Sequence, residues 1–179
     1  LPKDWTQDKA RLDKAGVPQA RRGYHTRHQL ALAMLEQDGP ALSHGWIAGD
    51  DEMGRPYWFR RRLATLGERY MLAVPSNTLI RDLETAPPEA SGRSRRPQRP
   101  WQRVDQWAQA QGDDAWRRID VRDGSKGPLV VDVVKRRVLS RTHRRQQGHE
   151  EMVVVIRYRD RDNQQVVKVD FYLSNAAPG

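Results

Sequence analysis

Apolar residues recur at helical spacing in two stretches of the first third of the chain. In TRHQLALAMLEQDGP, Leu30, Ala33, Met34 and Leu35 fall at helical spacing, Thr26 stands at an N-cap position, and Gly39-Pro40 ends the run. From Pro56 a second helix is predicted, with Phe59, Leu63 and Leu66 on its inner face and Gly67 as its stop. A short apolar run over 46–49 reads as a strand ending at Asp50, and 70–74 reads as a buried strand closed by Pro75. The opening residues form a loop and a short polar helix stopped by Gly16 and Pro18. Helix, strand, acidic turn, helix and strand make an α/β rhythm that predicts parallel strands.

Near residue 84 the pattern changes. Residues 85–103 are rich in Pro and Arg and predict an irregular basic linker. WQRVDQWAQAQ predicts a short helix displaying Trp101, Val104 and Trp107 or Ala108. Four strand signals follow: WRRIDV, PLVVDVVKRRVL, EMVVVIRYR and VVKVDFYLS. Asp162-Asn163 separates the last two as a hairpin turn, and DGSKG (123–127) reads as a tight turn rather than a phosphate loop. Val167, Val169 and Phe171 alternate with Lys168, Asp170 and Tyr172, so one face of the last strand is expected to be buried and the other wet. The predicted organisation is an α/β part over 1–84, the linker over 85–103, and a β-rich module over 104–179.

Composition narrows the partners. Lys and Arg number 32 against 23 Asp and Glu, a formal charge of +9, which favours a polyanion and in the first place nucleic acid. The absence of cysteine excludes disulfides, thiolate zinc sites and cysteine nucleophiles. No apolar run reaches membrane-spanning length, so no membrane partner and a soluble, cytoplasmic protein are expected. Two acid-free basic segments are candidate DNA contacts: Arg93, Arg95, Arg96 and Arg99, with Arg103, and then Lys135, Arg136 and Arg137, followed by Arg141, Arg144 and Arg145. The alternative for each is a solvated basic face. Arg60, Arg61 and Arg62 have two readings as well, contact with DNA or ion pairing. The five histidines read as surface residues, and the tryptophans other than Trp5 as core.

Three acids, Asp50, Asp51 and Glu52, close the first predicted strand. Carboxylates at the carboxyl end of a strand in an open α/β sheet face the crevice where such sheets bind ligands, and their oxygens suit Mg²⁺. Asp also caps helices, and on spacing alone the cap is the simpler reading.

A resemblance shifts that balance. GWIAGDDEMGRPYWFRRRLATLGERYMLAVPSNT resembles the middle of bacterial insertion-sequence transposases of the DDE superfamily endonuclease group. Their pattern is W-x-x-x-D-x-x-aromatic-G, a helix, and a Y-x-L-A-V strand; Trp46, Asp50, Gly54 and YMLAVP fall on it, while Met53 replaces the aromatic residue. LPKDWTQDKARLDKAGVP, TRHQLALAML, GSKGPLVVDVVKRRV and DFYLSNA resemble other parts in the same order.

The resemblance implies a ribonuclease-H-like core, incomplete in this chain, with a β-rich insertion. It implies metal-dependent DNA cleavage and strand transfer at insertion-sequence ends, with Mg²⁺ as cofactor and transposon ends and target DNA as partners. It admits a homo-oligomer of the full-length transposase. Asp50 matches the second catalytic acid and metal ligand, with Asp51 as a helix cap or neighbour of the metal and Glu52 as a turn residue. The first acid is expected ahead of residue 1 and the third beyond Gly179, so the chain alone is expected to bind DNA and cut nothing. The reading from another class is a non-catalytic DNA-binding module whose acids are structural.

Overall fold

The computed structural model describes residues 3–86, 99–124, 127–143, 146–160 and 163–177. The chain forms two compact units, Leu1–His44 and Gly45–Gly179.

The first unit is helical. Helix α1 is Lys3–Gln7, α2 is Lys9–Lys14 and α3 is Arg27–Asp38. Asp8 caps α2 by accepting the Arg11 amide at 3.0 Å. Thr26 and Gln29 cap α3 reciprocally: the Gln29 amide donates to Thr26 Oγ1 at 3.2 Å, and the Thr26 amide donates to Gln29 Oε1 at 2.8 Å. The expected α3 boundaries therefore hold, but the apolar residues at helical spacing do not make up its buried side. Leu30 and Met34 are 43% and 65% exposed, and Leu32 is the buried residue. Periodicity tells which residues share a face, whereas coverage of that face depends on the rest of the chain.

The second unit is a mixed α/β layer structure. Its strands are β1 (Ile47–Gly49), β2 (Tyr70–Ala73), β3 (Leu79–Asp82), β4 (Gln102–Arg103), β5 (Arg117–Gly124), β6 (Gly127–His143), β7 (Gln146–Arg159) and β8 (Val166–Ser174). Its helices are α4 (Asp51–Gly54), α5 (Tyr57–Thr65) and α6 (Val104–Gln109). The strands form one sheet in the order β1-β2-β8-β7-β6-β3-β4, with β5 also on β6. The long β6 pairs β5 along its first half and β3 along its second, both on the edge away from β7. Strands from either side of residue 84 thus share one sheet. Parallel pairing, expected generally for the first part, occurs at β1–β2, where α4 and α5 supply the crossover; the other pairs are antiparallel.

The core lies under α5 and α6. Phe59, Leu63, Tyr70 and Leu72 are buried, and Val104, Trp107 and Ala108 of α6 pack on Ile80, Val134, Val138, Val153, Val155 and Leu173. The Trp107 indole donates to the Asp82 carboxylate at 3.0 Å, giving this buried N–H its partner. Burial pushes the Asp82 carboxyl upward, but donors from the Thr85 and Glu84 amides and Trp107 outweigh it and hold the group below its usual range.

Two expectations are corrected here. Val167 and Val169 are exposed, and burial on β8 begins only toward Leu173 and Ser174. The reason is pairing: β2 covers β8 only at Tyr172–Ser174, so the earlier residues form an edge beside β7. Of the tryptophans expected in the core, Trp107 is there, while Trp46 and Trp58 are each 48% exposed.

Candidate active site

Asp50 follows the last residue of β1, and its backbone is extended, so its side chain is free to cap the turn after it. Oδ1 accepts the Met53 amide at 3.0 Å and makes Asp50 the N-cap of α4; Oδ2 takes no part in this bond. The helix cap, one of the two roles expected of Asp51, is made for α4 by Asp50. Asp51 instead lies 3.8 Å from Arg55 within the same turn, a solvent-exposed pair of little energetic weight.

Glycines make this turn possible. A Cβ on Gly54 would stand 1.9 Å from the Ala73 carbonyl oxygen, and one on Gly49 would meet the Leu72 and Met53 side chains at 2.9 and 3.0 Å. Thus α4 lies directly on β2, with Asp50 exposed where the parallel pair ends. A groove of about 460 Å³ opens there, lined by Asp50, Asp51, Pro75, Lys168, Asp170 and Tyr172 among others. Lys168 and Asp170 pair at 2.8 Å on the stretch of β8 that β7 flanks and β2 does not reach.

Beneath this turn lies a buried polar cluster. Arg60 of α5 is 1% exposed. Its Nη1 donates to the Gly54 and Arg55 carbonyls, its Nε to Glu151 Oε1 at 2.8 Å, and its Nη2 to Ser140 Oγ at 2.8 Å. Ser140 Oγ donates to Glu151 Oε2 at 2.6 Å, and the Tyr70 hydroxyl donates to Glu151 Oε1 at 2.7 Å. His149 Nε2 lies 2.9 Å from that hydroxyl. Because the tyrosine proton goes to Glu151, His149 must donate through Nε2–H, which leaves Nδ1 as the unprotonated nitrogen. Burial and the Glu151 carboxylate hold the Tyr70 phenol well above its ordinary value. Burial also depresses His149, assisted by Arg60 and Arg61 and opposed by Glu151. The arginine is thus an ion-pair partner, one of its two expected roles, and His149 is a half-buried member of the cluster rather than a surface residue.

The basic candidates are dispersed. Arg93, Arg95, Arg96, Arg144 and Arg145 lie outside the described residues. Arg99 donates to the Leu83 carbonyl. Lys135 is exposed on β6, Arg136 lies 3.7 Å from Glu84, and Arg137 donates to Glu150 at 2.6 Å. Successive β6 residues face opposite ways, so Arg136 points away from the face shared by Lys135 and Arg137.

Among the described residues no group of three or more His, Cys, Asp or Glu side chains converges as a metal site, and no helix is long and apolar enough to cross a membrane. Asp50 offers a hard oxygen donor, one ligand of the kind a divalent cation takes.

None of the curated proteins matches the chain. The family model described as DDE superfamily endonuclease matches residues 1–128, the span that contains Asp50, Gly54, Arg60 and the β1–β2 pair. Members of that superfamily generally use divalent metal ions and act on DNA. The chain belongs to the DDE superfamily endonuclease family.

Proposed function

We propose that this chain carries the second catalytic acid, Asp50, of a transposase that cleaves and joins DNA at insertion-sequence ends. The observation that supports this most is the position of Asp50: at the carboxyl end of a parallel strand, on the lip of a groove, between two glycines that seat its turn on β2. In this reading residues 1–84 belong to a ribonuclease-H-like core and 85–103 to a basic linker. Residues 104–179 form the insertion, whose last strand β8 returns to pair with β2.

Asp50 would hold the cation through its carboxylate while the Met53 amide fixes the side chain's orientation. Mg²⁺, when bound, would activate water or a 3′-hydroxyl and neutralise the phosphate under attack. Arg60 would hold the far end of the α4 turn, so that Asp50 keeps its aim. On this reading the partner acids of the triad come from outside residues 1–179. The Met53 cap equally suits a structural carboxylate in a DNA-binding module without catalysis, and experiment separates the two. In the full-length transposase, Asp50→Ala is expected to abolish Mg²⁺-dependent cleavage of end DNA while leaving DNA affinity within about threefold. Undiminished cleavage would exclude the catalytic role.

A further inference from the structure

Both oxygens of the buried Glu151 carboxylate are fully used. Oε1 accepts Arg60 Nε–H at 2.8 Å and the Tyr70 hydroxyl at 2.7 Å, and Oε2 accepts the Ser140 hydroxyl at 2.6 Å and Arg60 Nη2 at 3.3 Å. Register explains how these groups meet. Glu151 stands opposite Val138 and shares its face of the sheet with the buried Val153 and Val155. Next to that pairing, β7 places Gly148 and His149 where β6 has Ser140 alone, a bulge in the ladder. The strands can close there because residue 148 is glycine: a Cβ on it would stand 2.6 Å from Ser140 Oγ.

The bonds from Glu151 hold the Nε–Nη2 edge of the guanidinium. Because that group is planar, they also fix the direction of Nη1. Nη1 donates to the Gly54 and Arg55 carbonyls, which close the α4 turn. The Gly54 amide donates in its turn to the Asp50 carbonyl at 2.9 Å, beside the Met53 amide that holds Asp50 Oδ1. A continuous run of hydrogen bonds thus leads from Glu151 through Arg60 and Gly54 to Asp50. Stability alone does not account for it, since a buried ion pair is often no better than apolar side chains of the same volume. What apolar side chains could not supply is a donor for the carbonyls of the turn.

We propose that Glu151 is a positioning residue for the Asp50 site: it orients the Arg60 fork, and the fork holds the α4 turn in the conformation from which Asp50 presents its carboxylate to a divalent cation. The inference rests on the reading of Asp50 as a metal-binding catalytic acid. It extends the site to a residue of the β-rich module, beyond the span 1–128 that the family model matches.

The test uses the chain as it stands and two NMR readouts: hydrogen exchange at the Met53, Gly54 and Arg55 amides, and broadening of the same signals by Mn²⁺ as a paramagnetic probe. Glu151→Gln keeps the shape of the side chain and removes its charge, and is expected to speed exchange at the turn by at least about fivefold. Val155→Ala weakens the buried core away from this path and is expected to leave exchange at the turn unchanged. Equal exchange at the turn in Glu151→Gln and the parent, or an equal rise in Val155→Ala, would overturn the proposal. If Glu151→Gln does not fold, Arg60→Met with Glu151→Leu, which strands no charge, replaces it with the same expectation. Mn²⁺ is expected to broaden the Met53 and Gly54 signals of the parent but not those of Asp50→Asn. Loss of Glu151 should raise the Mn²⁺ concentration needed by at least about threefold. An unchanged Mn²⁺ requirement would also overturn the proposal. Should the parent show no broadening that depends on Asp50, the catalytic reading fails, and exchange at the turn still decides whether Glu151 sets its conformation.

Discussion

Nε of Arg60 lies 2.8 Å from Oε1 of Glu151, an ion pair between side chains 1% and 0% exposed and 91 residues apart in the chain. It ties the helix after the Asp50 turn to the long strand β7. Ser140 and Tyr70 satisfy the remaining oxygens, so neither charge is left without partners.

Removing one member should therefore be costly. Arg60→Ala or Glu151→Ala is expected to lower unfolding free energy by about 3–5 kcal/mol, read from urea denaturation. Arg60→Met with Glu151→Leu should cost much less than the sum of the two single changes, because no buried charge is stranded. Strict additivity would mean that the pair is not coupled.

The close seat of α4 on β2 gives a second expectation. Gly54→Ala forces a methyl group into the Ala73 carbonyl and should destabilise by more than about 1–3 kcal/mol while shifting the Asp50 turn. Gly45→Ala, with nothing within 4 Å of the new methyl, should be nearly neutral. Similar stabilities for the two variants would show that α4 can lift off β2 freely.

His149 sets a pH dependence. Its folded-state pKa lies below the ordinary 6.5, chiefly through burial, so the unfolded chain binds more protons below that value. The stability linked to this group is present above pH 6.5 and is lost as pH falls through the folded-state pKa. The urea midpoint should fall between about pH 7.5 and 5, and His149→Gln should flatten that slope. An unaltered slope in the variant would assign the effect elsewhere. Asp82, also held low, acts in a separate window, with its stabilisation lost only below its ordinary 3.8.

Much of the helical and strand pattern was legible because it is local. Thr26 before the apolar run, Gly39-Pro40 after it, and the spacing of Phe59 and Leu63 act over a few residues. Strand β3 was not legible: Leu79–Asp82 is four residues long, half of them charged, and it is a strand because β6 and β4 flank it. The buried cluster escaped for a related reason. Arg60, Tyr70, Ser140, His149 and Glu151 become neighbours only when β7 and α5 meet, and nothing in their spacing along the chain joins them. A faint signal existed, since Glu151 opens the run EMVVVI and Arg60 sits beside Phe59 on the packed side of its helix. Asp50 was found through motif resemblance. Its capping bond depended on the short α4 turn, and periodicity over four residues cannot announce such a turn.

Asp50→Asn separates the two roles of this carboxylate on one sample. Asparagine caps helices as well as aspartate does, but offers a cation no negative charge. On the proposed function, the exchange in the full-length protein is expected to leave the unfolding free energy within about 0.5 kcal/mol of the parent and to reduce Mg²⁺-dependent cleavage of end DNA by at least about 100-fold. Cleavage retained at the parental rate, with stability unchanged, would contradict the assignment of Asp50 to catalysis.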